Sequence, residues 1–136
     1  MTAQKGFKLV VILLAGYVGL VVLFESSLGF FQPEAGNTIV IETYDNDGTG
    51  YSRVVSLLNS AGQEYVAVNH WPRAWYGRLQ ETPRIGVTRN GSQTEYSAGM
   101  VSGAEHEQVQ QDNPTPLVFR FLTGFPPRYF VRLDPL

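Results

Sequence analysis

Two short segments of the chain carry the side chains best suited to binding chemistry. The first is T-G-Y-S-R, from Thr49 to Arg53, in which a glycine-containing turn precedes an arginine. A guanidinium can bind an anionic group through two parallel hydrogen bonds, which makes Arg53 a candidate ligand for a phosphate. The alternative is that Arg53 is only the solvent-facing residue of an edge strand. The segment is therefore consistent with an anion site or with an ordinary strand.

The second segment is N-H-W-P-R-A-W-Y, from Asn69 to Tyr76. His70 titrates near neutral pH, so it could donate a proton to a reduced substrate or a hydrogen bond to a bound ring. The competing interpretation is a half-buried histidine that caps the turn. Trp71 and Trp75 offer faces on which a planar ring could stack, although aromatic residues at helical spacing usually pack against their own sheet. Both interpretations stay open for each residue.

The rest of the sequence excludes several classes of chemistry. The chain has no cysteine, which rules out disulfides, thiolate catalysis and sulfur-ligated metals, and it contains neither G-x-S-x-G nor H-E-x-x-H. We interpret D-N-D-G at Asp45–Gly48 as a β-turn rather than a calcium loop, and His106 as an exposed residue of a polar helix. We therefore expect no metal. The net charge of -2 and the scattered basic residues make nucleic acid an unexpected partner.

The N-terminal part is far more apolar than the rest. A helix over residues 7–24 would be about 27 Å long, close to the hydrocarbon thickness of a bilayer. Lys5 and Lys8 precede the uncharged run and the next basic residue is Arg53. The positive-inside rule therefore places the N-terminus in the cytoplasm and the domain on the outer (periplasmic or extracytoplasmic) side of the membrane. A cleaved signal peptide is the competing interpretation. We expect a single-pass anchor over residues 1–32, a linker over 33–37 and one domain over 38–136.

Alternating and β-branched segments separated by turn residues predict an antiparallel β domain. D-N-D-G-T-G at residues 45–50 and the pair Asn90-Gly91 are strong hairpin signals. Ser102 and Glu105 have the spacing of a capping box at the start of a helix. A closed barrel with inserted helices is the economical architecture, because closure leaves no exposed strand edge. The predicted strands are 38–44, 51–58, 64–68, 84–88, 93–101 and 128–133, and the predicted helices are 72–81, 102–112 and 116–122.

Three motifs follow one another in order: T-G-x-x-R at 49–53, P-x-x-W-Y at 72–76, and T-P-R-I-G-V at 82–87. In this order and spacing, residues 38–101 resemble the deazaflavin-dependent nitroreductase and quinone reductase family, which is related to the flavin-reductase barrels. The resemblance implies a mainly β (α+β) fold: a small split β-barrel with short inserted helices, here preceded by one N-terminal transmembrane helix. It also implies a homodimer with the cofactor cleft at the subunit interface.

The resemblance further implies a cofactor, either a deazaflavin coenzyme or FMN. The T-G-x-x-R turn would lie near its phosphate, and the segment before the P-x-x-W helix would form the adjoining wall. In this chain the turn carries Asp45 and Asp47, where the family has basic residues, and carboxylates repel a phosphate. His70 is the candidate catalytic residue. The implied cofactor-binding residues are Thr49, Gly50, Arg53, Asn69, His70, Trp71, Pro72, Arg73 and Trp75.

Two functions remain open at this stage. The first is a membrane-anchored oxidoreductase that passes a hydride from a reduced flavin or deazaflavin to a quinone or nitro-aromatic acceptor. The ring supplies the redox chemistry, so the protein needs no nucleophile, and the anchor gives access to a lipid-soluble quinone. The alternative is a non-enzymatic split-barrel module that binds a small molecule, a lipid or an envelope protein. The acidic turn and the outward topology favour this alternative.

Overall fold

The computed structural model describes residues 3–31, 37–68 and 74–136, which form a long helix followed by a barrel with inserted helices. The predicted fold class is confirmed: the domain is a six-stranded antiparallel barrel, and the N-terminal helix is long and apolar enough to cross a membrane. The elements are α1 Ala3–Phe31, β1 Thr38–Tyr44, β2 Gly50–Ser60, β3 Gln63–Val68, α2 Ala74–Glu81, β4 Arg84–Arg89, β5 Ser92–Met100, α3 Gly103–Asp112, α4 Leu117–Leu122 and β6 Tyr129–Pro135.

The strands follow one another around the barrel in the order β1-β2-β3-β6-β5-β4, and β4 closes the ring by pairing with β1. The hairpins predicted at residues 45–50 and at Asn90-Gly91 are present, and the predicted strands agree with the observed ones to within two residues at each end. Asn90 and Gly91 both have positive φ, 51° and 76°, as a two-residue hairpin turn requires. Local turn chemistry therefore determines the hairpins.

Alternate residues of each strand point into the barrel. Ile41, Val87 and Val131 are almost completely buried there. At one end of the barrel, Trp75 and Leu79 of α2 join this core. At the other end, Arg89 of β4 forms an ion pair with Glu64 of β3. The interior is thus closed at one end by the two buried apolar side chains of α2 and at the other end by a charged pair.

The outer face is covered on one side by α3. Val109 packs there against Leu58 and Phe130. The helix begins where the capping-box spacing predicts, but the side chain of Ser102 makes no capping hydrogen bond. Glu105 instead accepts hydrogen bonds from Tyr65 at 3.0 Å and from Arg132 at 2.8 Å. The carboxylate that we predicted to cap the helix therefore fastens α3 to the barrel.

Candidate functional site

Strand β2 pairs with β1 over most of its length but with β3 over only a few residues. The unpaired edge lies beside residues that the sequence predicts to bind a cofactor. β2 has eleven residues, yet its pairing with β3 covers only residues 57–60. The preceding part of β2, residues 50–56, pairs with β1. β3 meanwhile continues to Val68 in its pairing with β6. We call this region, residues 50–56 of β2 and 67–68 of β3, the β2–β3 split.

Arg53 lies on the inner face of β2 at the split. Its partner in β1 is Ile41, a fully buried residue, and residues directly opposite each other in an antiparallel pair share one face of the sheet. Val55, two residues further along β2, is buried in the core. Arg53 itself is half-buried. A cation is thus held at the inner edge of the region where β2 leaves β3.

Thr49 and Gly50 form the turn that leads into β2, and both are exposed. The backbone N–H of Thr49 donates to Asp47 Oδ1 at 2.9 Å, and this bond lowers the pKa of the Asp47 carboxyl. Gly50 lies beneath the side chain of Glu42, so that a Cβ at this position would overlap Glu42 Oε1. Asp47 therefore shapes the turn, and the absence of a side chain at Gly50 leaves room for Glu42.

Asp45, the other acidic residue of the turn, connects it to α2. Tyr51 Oη donates to Asp45 Oδ2 at 2.8 Å, and Arg78 Nε lies 3.3 Å from Asp45 Oδ1. The Arg78 guanidinium also lies 3.9 Å from the centre of the Tyr51 ring. The carboxylate that the sequence places near the implied phosphate is thus balanced by a cation on the neighbouring helix. We call Asp45, Tyr51 and Arg78 the turn clamp.

Among the predicted site residues of the second segment, Trp75 is described, and it lies in the core. Only 6% of it is exposed, and its ring meets that of Tyr76 edge to face with the centroids 6.3 Å apart. The helix that carries it, α2, follows β3 in the chain. Asn69, His70, Trp71, Pro72 and Arg73 lie outside the described residues, and their place in the site stays a prediction.

Two tyrosines that we did not include among the site residues meet near the end of β3. Tyr76 and Tyr129 are stacked with ring centroids 5.3 Å apart and an interplanar angle of 10°. Tyr129 is paired with Val68 in the sheet and is 43% exposed. Burial raises the pKa of Tyr76, which favours its neutral phenol. The W-Y dipeptide at residues 75–76 marks Tyr76 as a candidate from sequence. No local pattern marks Tyr129, because the pairing of β3 with β6 joins segments that are distant in the chain.

His106, which we predicted to be exposed, is half-buried and makes two contacts with the segment before and in β6. Its Nε2 lies 2.9 Å from the carbonyl oxygen of Arg128, and its ring is 5.0 Å from that of Phe130. It borders a polar cavity of about 350 Å³ between α3 and α4, which Arg120 and Arg128 also line. Within the described ranges, no three histidine, aspartate or glutamate residues group as metal ligands. This cavity lies on the α3 side of the molecule rather than at the turn clamp.

Comparisons with known proteins agree on the fold. No family model and no curated protein matches the chain. Among solved structures, the heme storage protein HutZ from Vibrio cholerae is similar over 83% of this chain and 90% of its own, with a TM-score of 0.54 and 17% identity. A structure of an F420-H2-dependent reductase, FDR-A, is similar over 71% of this chain and 94% of its own, with a TM-score of 0.52 and 14% identity.

A third structure, the protein Atu2129 of unknown function from Agrobacterium tumefaciens, has a TM-score of 0.58 at 14% identity over 73% of this chain. The present chain spans 48% of its length. At such identities the likeness is one of fold. The predicted resemblance to the deazaflavin-dependent and flavin-reductase-like barrels is therefore confirmed for the fold. The similar structures include a reductase and a heme storage protein.

Proposed function

We propose that this chain is a membrane-tethered split-barrel protein that binds a planar redox cofactor at the β2–β3 split and uses it to reduce a quinone or a nitro-aromatic compound. The observation that carries the proposal is the position of Arg53. It is half-buried on the inner face of β2, in the part of that strand that pairs with β1 but not with β3. A cation in this setting can hold a phosphate close to a ring that lies across the split.

One of the two carboxylates of the turn is balanced by a neighbouring cation, which reduces the repulsion of an anionic ligand. Asp45 is held by Arg78 in the turn clamp, so its negative charge is balanced locally. Asp47 is committed to the backbone of its own turn. A deazaflavin coenzyme and FMN both combine a planar ring with phosphate, and we propose one of them as the cofactor. Thr49, Gly50 and Arg53 lie on the phosphate side in this proposal.

The ring of the cofactor needs a wall beside it, and we assign this wall to residues 69–73, which follow β3 in the chain. Asn69, His70, Trp71, Pro72 and Arg73 follow Val68 directly in the chain. Tyr129, the sheet partner of Val68, stacks on Tyr76 and adds aromatic surface at the end of β3. Within this arrangement His70 donates a hydrogen bond or a proton to the ring or the acceptor. Trp75, being buried in the core, would support this wall from behind.

The proposed attachment of the barrel to a membrane is supported by the length and apolarity of α1. Its segment Ala3–Leu28 is apolar enough to cross a bilayer, and the described structure buries none of its most apolar stretch. We propose that α1 spans the membrane with Lys5 and Lys8 on the cytoplasmic side. A quinone dissolved in the bilayer would then be delivered close to the barrel. Homodimerisation across the split is part of the same proposal.

A second function has its own support. Asp47 remains exposed near the proposed phosphate position, which opposes a strongly anionic cofactor. A non-enzymatic barrel that binds a different small molecule, such as heme, would not require the phosphate contact. The names of HutZ and of a heme-binding protein from Mycobacterium smegmatis among the structural neighbours are consistent with this alternative.

The two functions are separated by titrating the full chain in nanodiscs with a deazaflavin coenzyme, FMN, FAD and heme. Binding is followed by ring absorbance and by quenching of tryptophan fluorescence. Saturable binding of a deazaflavin or flavin, followed by reduction of a quinone when that ring is supplied in reduced form, is the expected result. Binding of heme alone supports the second function. Binding of none of the four by folded protein contradicts the redox proposal.

A further inference from the structure

The short helix α4 packs along α1 from the outer end of its apolar run, at Phe24, inward to Tyr17 in the middle of the helix. The rings of Tyr17 and Phe121 have centroids 4.9 Å apart, and those of Phe24 and Phe119 are 6.0 Å apart. Tyr17 lies eight residues before Glu25, the first charge after the apolar run, and this separation is about 12 Å along a helix. If α1 spans a bilayer of about 30 Å hydrocarbon thickness, Tyr17 is close to its mid-depth.

The hydroxyl groups at this contact are hydrogen-bonded, one between the two helices and one within the α4 segment. Tyr17 Oη donates to the carbonyl oxygen of Phe121 at 2.9 Å. That carbonyl belongs to the last turn of α4 and also accepts a hydrogen bond from the backbone N–H of Gly124 at 3.2 Å. Thr123, which follows α4, is buried, and its hydroxyl donates to the carbonyl of Phe119 at 2.9 Å. Such pairing is what a hydrocarbon environment demands of backbone and hydroxyl groups.

Large apolar side chains of α4, and Phe125 just beyond it, remain exposed beside α1. Leu117 is 69% exposed, Val118 is 72% exposed, and Phe121 and Phe125 are 47% and 48% exposed. An aqueous surface gains nothing from displaying large apolar residues on consecutive turns, and their clustering marks a surface that is covered. The only charged residue of α4 is Arg120, whose guanidinium lies 5.5 Å from the centre of the Phe125 ring. A long arginine side chain can reach the headgroup layer from such a position.

We infer that α4 and Phe125 form a second membrane-inserted element, which docks the barrel onto the outer leaflet beside α1. The occupant of the exposed α4 surface is the acyl-chain layer of the bilayer itself. The argument for lipid is continuity: α4 contacts α1 at the depth of Tyr17, so its other faces lie at that depth too. The inference rests on the proposed membrane span of α1 and adds a fixed orientation of the barrel.

Cysteine labelling tests this directly, because the chain has no native cysteine. Three variants of the full chain, Val118→Cys on α4, Val11→Cys on α1 and Ser52→Cys on the exposed outer face of β2, are labelled with an environment-sensitive fluorophore and reconstituted into vesicles. Quenching by lipids brominated in their acyl chains is then compared. We expect strong quenching at positions 118 and 11 and little at position 52.

The possible outcomes distinguish insertion of α4 into the membrane from the proposed span of α1. Quenching at position 11 but not at 118 overturns the inference and leaves the span of α1 intact. Protection of position 118 from both brominated lipid and a water-soluble quencher means that protein, for example a second copy, covers α4, which also overturns it. Absence of quenching at position 11 contradicts the span and the inference together.

Discussion

Arg89 and Glu64 join opposite strands of the barrel through two parallel hydrogen bonds, Nη1 to Oε1 at 2.8 Å and Nη2 to Oε2 at 2.6 Å. β3 and β4 are three places apart in the ring of strands whichever way it is followed, so the pair crosses one end of the barrel. Its partners are 25 residues apart in the chain. The closed ring brings them together, and no local pattern marks either residue.

This ion pair makes stability depend on pH. Hydrogen bonds from Arg89 lower the pKa of Glu64 below its usual value of 4.5. A carboxyl with a lowered pKa in the folded state stabilises the fold above its unfolded-state pKa, and this contribution is lost as the pH falls through the folded pKa. Both side chains are about a third exposed, so we expect Glu64→Gln to cost only about 1 kcal/mol at pH 7 and little at pH 3.

Chemical denaturation of the folded domain at both pH values measures this difference. Glu95→Gln is the matched control, because Glu95 pairs with Arg84 on the surface with both side chains about half exposed. The control should change stability by a few tenths of a kcal/mol. An equal loss for Glu64→Gln at pH 3 and pH 7 would show that the pair does not stabilise the barrel in the way described.

The apolar end of the barrel should be more sensitive than the charged end. Leu79 of α2 is 1% exposed and belongs to the barrel core. Leu79→Ala should therefore lower the free energy of unfolding by about 2–5 kcal/mol, through lost burial and the cavity left behind. Gln80→Ala, at the exposed next position of the same helix, should have almost no effect. Similar unfolding midpoints for the two variants would argue against α2 as the closure of the barrel.

Gly50 is predicted to bind cofactor, yet the structure also gives it a packing role, and the two can be separated. A Cβ at Gly50 would displace the carboxylate of Glu42, which accepts a hydrogen bond from Gln93 at 2.7 Å. Gly50→Ala should cost about 1 kcal/mol of stability, and much less when combined with Glu42→Ala. If Gly50 also contacts the cofactor, cofactor affinity falls in both backgrounds. Loss of affinity only when Glu42 is present would assign Gly50 a packing role alone.

Local sequence predicted the strands, the hairpins and the helices well, because turn chemistry and alternation act over a few residues. Asn90-Gly91 determines one hairpin by its backbone preferences, and α1 is visible from hydropathy alone. The closure of the ring could not be predicted in this way. The pairs β3–β6 and β1–β4 join distant segments, so the contacts of Arg89 with Glu64 and of Tyr76 with Tyr129 were both unforeseen.

In the candidate site, too, local sequence predicted the residue types but not the contacts between distant segments. Arg53 was recognisable as a cation in a turn-and-strand motif, but its inner-face position depends on the register with Ile41. From sequence, Asp45 and Asp47 are expected to repel an anionic ligand. The partner of Asp45, Arg78, lies on a helix reached only after a third strand, and sequence spacing gave no reason to join them. His106 was interpreted as exposed because its partner, the carbonyl of Arg128, belongs to a distant segment.

The central claim, a phosphate-bearing ring bound at the β2–β3 split, is tested most directly by measuring the dissociation constant of the full chain in nanodiscs for the ring that binds, before and after Arg53→Ala. Arg84→Ala is the matched control, because Arg84 lies at the surface of β4, with its guanidinium 3.9 Å from the centre of the Tyr44 ring. Losing a charged hydrogen-bonded pair should weaken binding roughly tenfold to a hundredfold. The account predicts this loss for Arg53→Ala and an unchanged constant for Arg84→Ala. Equal affinity of the Arg53→Ala variant and the unaltered chain, with both shown to be folded, would contradict it.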